Sequence, residues 1–192
     1  MAERAHQLKD FDSPELARQA EAAQKRALDL FDVKGTESQS KIRHEMGQSM
    51  EEGVGIYREE ESMQKTIDTL KQLQKRLVNV GITDRGRVFN TEWMNRIELG
   101  YTLDVAQCMV HSAINRKESR GSHQRLDGPN GAYKQRDDVN FLKHSLAFKQ
   151  DGADEPRIEL SDVKITTFQP AKRVYGAEAE AAEAARKAKE AK

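Results

Sequence analysis

The stretch Glu59-Glu60-Glu61-Ser62-Met63-Gln64-Lys65-Thr66-Ile67-Asp68-Thr69-Leu70-Lys71-Gln72-Leu73-Gln74-Lys75-Arg76-Leu77 decides the fold. Met63, Ile67, Leu70, Leu73 and Leu77 recur every three or four residues, which puts them on one side of a helix. The three acids stand at its start, where the positive end of the helix dipole favours negative charge. Gly81 follows as a stop. A helix with one apolar stripe is stable only against other such stripes, at roughly 1.5–3 kcal/mol for each fully buried Leu or Ile, so the neighbouring segments must supply them.

They do so on both sides. Upstream, Ser13-Pro14-Glu15 combines a hydroxyl N-cap, a first-turn proline and a first-turn acid. The helix it opens carries a thin stripe of Leu16, Ala20, Ala23, Ala27 and Leu30 toward Gly35. Thr36 to Gln39 has the capping-box spacing, and Ile42, Met46 and Met50 follow on one face before Gly53 and Gly55. Downstream, Asn90 is placed to cap the longest helix, from Thr91 to about Lys117, with Trp93, Ile97, Tyr101, Val105, Met109, Ala113 and Ile114 as its apolar positions. At 1.5 Å per residue this helix spans roughly 40 Å. The expected fold is mainly α: an antiparallel, spectrin-repeat-like bundle of three to four helices.

Beyond Gly121 the pattern changes. Gly128-Pro129-Asn130-Gly131 reads as a loop, Phe141 to Lys149 alternates in part, Asp151-Gly152 offers a turn, and Ile158 to Thr167 alternates again. A small C-terminal β-hairpin docked on the bundle is expected. Residues 177–192 hold only Ala, Glu, Lys and Arg and give no face to bury, so a disordered tail is expected there. The division is thus 1–121 for the bundle, 122–176 for loop and hairpin, and 177–192 for the tail.

Composition narrows the function. Of 192 residues, 33% are charged and 6% aromatic, and Lys plus Arg equals Asp plus Glu at 32 each. A neutral chain with few aromatics lacks the basic footprint of a nucleic-acid binder. No run of about 18 apolar residues occurs, so no membrane span is expected. One cysteine, Cys108, excludes an internal disulfide and fits a reducing cytoplasm. Gly53-Val54-Gly55-Ile56-Tyr57-Arg58 lacks the third glycine and the preceding strand of a dinucleotide fingerprint, so a helix-ending turn is the better reading. Cys108 and His111 lie three apart on one helix, but no third ligand stands at a recognisable spacing, and neither a metal site nor a nucleophile is assigned.

The densest polar cluster runs from His111 to Arg125 across the end of the longest helix. Cations there complement the helix dipole, and their alternative use is contact with a partner. Arg116, Arg120, His123 and Arg125 are the candidate interface, since an arginine fork holds a carboxylate bidentately. Glu118-Ser119-Arg120-Gly121-Ser122-His123-Gln124-Arg125, followed by Arg136 to Phe148 (RDDVNFLKHSLAF), resembles the C-terminal region of flavoprotein subunits in the fumarate reductase and succinate dehydrogenase family. The ESRGxH element is also similar to that of L-aspartate oxidases. HEMGQSMEEGVGIYR at His44–Arg58, MQKTIDTLKQLQKR at Met63–Arg76, VFNTEWMNRIELGYTLDVAQCMVHSA at Val88–Ala113 and SDVKITTFQPAKRVYG at Ser161–Gly176 resemble the bacterial fumarate reductase branch most.

The resemblance implies an intact oxidoreductase subunit with covalent FAD, reducing fumarate to succinate in anaerobic respiration. Its electrons come through an iron–sulfur subunit and membrane anchors at the cytoplasmic face of the bacterial inner membrane. The family's flavin domain, flavin-attachment histidine and substrate-clamping residues all lie upstream of the matched part. The expectation is therefore a helical support domain with no catalytic, cofactor or metal residue of its own, inactive by itself and packed beside the FAD-binding domain. A stand-alone helical assembly module is the alternative, because a fold alone does not fix a function.

Overall fold

In the computed structural model, residues 13–128, 136–150 and 152–171 are described, with 176, 177, 180, 181 and 184. Helix α1 spans Pro14–Asp29 and is continued by a short 3-10 turn, Leu30–Asp32. Helix α2 is Gln39–Val54, α3 is Glu60–Leu77 and α4 is Thr91–Asn115. Four short strands complete the order: β1 (Tyr57–Arg58), β2 (Gln124–Arg125), β3 (Lys143–Phe148) and β4 (Arg157–Asp162). Two compact units divide the chain, Met1–Ser161 and Asp162–Lys192.

The mainly α bundle with a small hairpin is as expected, and its core lies between α2, α3 and α4. Ile42 and Met46 of α2 meet Met63, Ile67, Leu70 and Leu73 of α3, and Leu99, Leu103, Ala106 and Val110 of α4. Polar contacts fix the directions. Thr66, early in α3, donates to the Ser49 carbonyl late in α2 (2.9 Å), while Arg76 at the end of α3 reaches Glu45 early in α2 (2.5 Å). Gln74 of α3 meets Asp104 of α4 (3.2 Å) and Arg96 of α4 donates to the Leu77 carbonyl (2.8 Å). Successive helices are therefore antiparallel. Gly53 permits the close crossing of α2 over α3, because a Cβ there would stand 2.1 Å from the Thr66 hydroxyl and 2.8 Å from the Ser62 carbonyl oxygen.

The helix starts follow their signals unevenly. Asn90 caps α4, its side-chain oxygen accepting from the Trp93 amide at 2.8 Å. Ser13 precedes α1 with Pro14 in the first turn, yet its hydroxyl makes no cap bond. The Thr36–Gln39 box does not form. Ser38 is the N-cap instead, accepting from the Lys41 amide, and the Gln39 amide side chain donates to the Glu92 carbonyl across the bundle. Helix α1 buries no residue. It is held to α4 by Trp93, whose indole nitrogen donates to the Ala27 carbonyl and whose ring lies 5.1 Å from that of Phe31.

Helix α4 corrects the sequence reading in one respect. The expected stripe Tyr101, Val105 and Met109 is 67%, 57% and 51% exposed, whereas Leu99, Leu103 and Val110 are fully buried. The helix is apolar on two sides, so periodicity alone gives two answers, and the packing of α2 and α3 selects the second. Strands β3 and β4 pair as the expected hairpin, and between them the Ala153 amide donates to the Gln150 carbonyl at 3.3 Å with Gly152 at φ +74°. Asp151, most of the Gly128–Gly131 loop and most of the 177–192 tail lie outside the described residues.

Candidate interface at the end of the long helix

The four candidate residues come together where α4 ends. Gly121, at φ +59°, lets the chain reverse, and Arg120 and His123 close the turn with reciprocal backbone bonds of 2.9 and 3.1 Å. The chain then returns as β2 beside β1, in parallel, with Tyr57 opposite Gln124 and Arg58 opposite Arg125. This two-residue pairing has no signal in the sequence. It also gives the GVGIYR stretch its structural role: Gly55 ends α2, and Tyr57–Arg58 provide the edge that β2 joins.

Arg125 is 1% exposed. Its Nε and Nη2 donate to the two oxygens of Asp127, each at 2.7 Å, while Nη1 donates to the carbonyls of Ile114 and Arg116 at 3.1 Å. One guanidinium thereby closes the C-terminal end of α4, where carbonyls lack helical partners. Asp127 also accepts the Glu60 amide at 2.7 Å, at the opposite dipole end of α3. The Arg125 fork pulls the Asp127 carboxyl down to about 2, against a lesser upward push from burial.

Glu118 is fully buried and holds the second node. It accepts from Arg116 (2.5 Å), from Nε and Nη2 of Arg120 (2.8 and 3.1 Å) and from the Asp137 amide (2.7 Å). Burial pushes its pKa up, but Arg120, the Asp137 amide and Arg116 outweigh that, and the net shift is downward. Arg116 donates further to the carbonyls of Phe141 and Lys143, tying the segment before the hairpin to α4. Arg120 reaches outward to Asp138 at 2.7 Å.

His123 is 8% exposed and links the two nodes. Its Nδ1 lies 2.8 Å from Nη1 of Arg58 and its Nε2 lies 3.0 Å from the Arg116 carbonyl. A guanidinium only donates and a carbonyl only accepts, so the ring is neutral with its proton on Nε2. Burial lowers its pKa and the charges of Arg58, Arg125 and Arg116 lower it further, against the opposing hydrogen bond to the Arg116 carbonyl.

The bidentate carboxylate chemistry expected of Arg120 and Arg125 is present, and the carboxylates are the chain's own. Glu118 and Asp127 are what the sequence reading missed, although each stands two residues from the arginine it holds. Elsewhere, Cys108 is half-buried and His111 is buried, with no hydrogen-bond partner for its Nε2. Among the described residues, no three His, Cys, Asp or Glu side chains are grouped to hold a metal, and no helix is long and apolar enough to cross a membrane.

The family model described as fumarate reductase flavoprotein C-term matches residues 43–175. The fumarate reductase flavoprotein subunit of Serratia sp. (strain ATCC 39006) is 61% identical over 166 residues, which is 86% of this chain and 27% of that protein. That of Haemophilus influenzae is 54% identical over 98% of this chain and 31% of its own length. A mutant FrdA of the quinol fumarate reductase of E. coli superposes with a TM-score of 0.81 at 54% identity, over 90% of this chain and 29% of that one. The Mycobacterium smegmatis Sdh1 complex contains a chain that superposes at 0.68 with 30% identity, over 83% of this chain and 26% of that one. The chain thus spans about 27–31% of the length of the relatives it matches first.

Proposed function

This chain belongs to the fumarate reductase flavoprotein C-terminal family, and from that premise we propose that it is the helical support domain of a subunit interconverting fumarate and succinate. In this reading the FAD and the dicarboxylate site sit in the part of the subunit beyond the matched region. The support domain packs beside that part. An iron–sulfur subunit and membrane anchors complete the complex at the cytoplasmic face of a bacterial inner membrane.

One observation carries the non-catalytic part of the reading. The guanidinium groups best suited to clamp a dicarboxylate, those of Arg116, Arg120 and Arg125, are already spent on Glu118, Asp127, Asp138 and main-chain carbonyls. A substrate anion would have to displace buried charge-assisted bonds to use them. Such a turn is built to hold a shape. Within it, Arg116 and Arg120 retain 17% and 28% side-chain exposure and, with His123 behind them, form the edge offered to the flavin-binding part.

The test is spectroscopic and kinetic. The purified 192-residue chain is expected to be colourless and inactive with fumarate and a reduced dye. Fused behind the missing part of the E. coli subunit, it is expected to support both flavin absorbance and fumarate-dependent dye oxidation. Flavin bound by the chain alone, with turnover, overturns the proposal.

A further inference from the structure

A cavity of about 290 Å³ lies between α3, α4 and the chain joining β3 to β4, and it shares no residue with the turn at the end of α4. A relay of amides leads into it. Gln74 of α3 donates through Nε2 to Asp104 (3.2 Å), and Gln107 of α4 donates through Nε2 to the Gln74 Oε1 (3.4 Å). An ionised carboxylate only accepts, so the direction of both amides is set from Asp104 inward. The relay therefore ends on Gln107 Oε1, a buried acceptor on a side chain 2% exposed, with no donor among the described residues. A buried acceptor without a donor is costly, so this lining residue points to something that brings one.

The mouth of the cavity favours a charged donor. Asp104 and Asp154 stand there, exposed, with no cation paired to either among the described residues, while Glu155 is held by Lys71. Lys149 is the one cation among the lining residues. Water can give a hydrogen to Gln107, but only a cation also answers the two carboxylates. Among the described residues no three His, Cys, Asp or Glu side chains are grouped to hold a metal, so the cation is an organic one. We propose that this cavity binds a small primary alkylammonium, its nitrogen donating to Gln107 Oε1 beside the Asp104 and Asp154 carboxylates and its methylene stem lying against Ala153 and Pro156. The volume sits at the small end of ligand cavities, which suits a short amine. The site is independent of the support-domain reading, since all of its residues belong to this chain.

The test is a calorimetric titration of the 192-residue chain with putrescine at neutral pH and about 0.15 M salt, where general attraction to surface acids is screened. Saturable binding is expected, and the uncharged diol of the same chain length should give none. Gln107→Leu removes the acceptor and Asp154→Asn removes one carboxylate, and each should weaken binding at least about tenfold. Asp154 is exposed, so its variant should melt like the parent and keeps the test free of any effect of the Gln107 change on packing. Glu52→Gln removes the same charge from an exposed position on α2 and should bind as the parent does. In amide proton–nitrogen spectra, the shifts caused by putrescine should centre on the Gln107 side-chain amide and on the main-chain amides of Gly152, Ala153 and Asp154. The absence of saturable heat up to about 10 mM putrescine overturns the proposal. So does an equal loss in Asp154→Asn and Glu52→Gln, which marks general attraction to an acidic surface. Equal binding of the diol assigns the cavity to a neutral, water-like donor and also overturns the ammonium.

Discussion

Arg125 and Asp127, two residues apart, close opposite ends of two different helices: the guanidinium takes the last carbonyls of α4 while the carboxylate takes the Glu60 amide that opens α3. The pair that joins them is bidentate at 2.7 Å. Breaking a buried pair by removing one partner leaves an uncompensated charge, so Asp127→Ala should destabilise the chain by about 3 kcal/mol in urea titrations. A loss below about 1 kcal/mol would show that Arg125 finds solvent instead. The same pair sets an acid limit. The Asp127 carboxyl titrates at about 2 in the fold against 3.8 unfolded, so its stabilisation is complete above pH 4 and is lost as pH falls toward 2. At 1.36 kcal/mol per pKa unit the loss is about 2 kcal/mol, and it should be missing from the Asp127→Ala protein.

A second pH effect lies nearer neutrality. His123 is held neutral, facing Arg58, Arg116 and Arg125, and His111 is also shifted below 6.5 by burial. Below pH 6.5 the unfolded chain gains protons that the folded chain resists, so stability is full above that value and falls as pH drops. Urea titrations between pH 7 and pH 5 should show this slope. In His123→Gln it should be shallower by up to about 1.4 kcal/mol per pH unit. An unchanged slope would assign the whole effect to other groups.

The two sides of α4 should respond differently to the same kind of truncation. Leu103→Ala removes a fully buried side chain and should cost about 3 kcal/mol. Val105→Ala, at a position 57% exposed, should stay within about 0.5 kcal/mol. A larger cost at Val105 than at Leu103 would mean that the expected stripe, and not the observed one, faces the core.

Gly53→Ala should be costly for a reason other than helix propensity. The added methyl would meet the Thr66 hydroxyl and the Ser62 main chain, so the α2–α3 crossing must widen. A loss of about 1–3 kcal/mol is expected from thermal melts. The double variant with Thr66→Ala should recover part of it, because the closest atom is then gone.

These contrasts explain how much could be read from the residues alone. Helix α3 was legible because its apolar residues occupy a single stripe, and the start of α4 was legible because Asn90 sits where a cap must. The inward side of α4 was not, since an apolar residue stands on both sides and only packing separates Leu103 from Val105. The capping box expected at Thr36 needs the Gln39 side chain, which donates to the Glu92 carbonyl on another helix instead, and Ser38 caps α2. At the turn, the arginines announced carboxylate chemistry. That Glu118 and Asp127 supply it depends on Gly121 reversing the chain, and β1–β2 pairing depends on residues far apart in sequence.

That distance has a consequence for the order of folding. Helices α2 and α3 are neighbours in the chain and can pack as soon as both exist, since short loops are cheap to close. The parallel pairing of Tyr57–Arg58 with Gln124–Arg125 encloses all of α3 and α4 and can form only after both are in place. On a ribosome, the bundle would therefore wait with one end unlatched until Asp127 emerges, and the two residues of β2 are the last stitch in it.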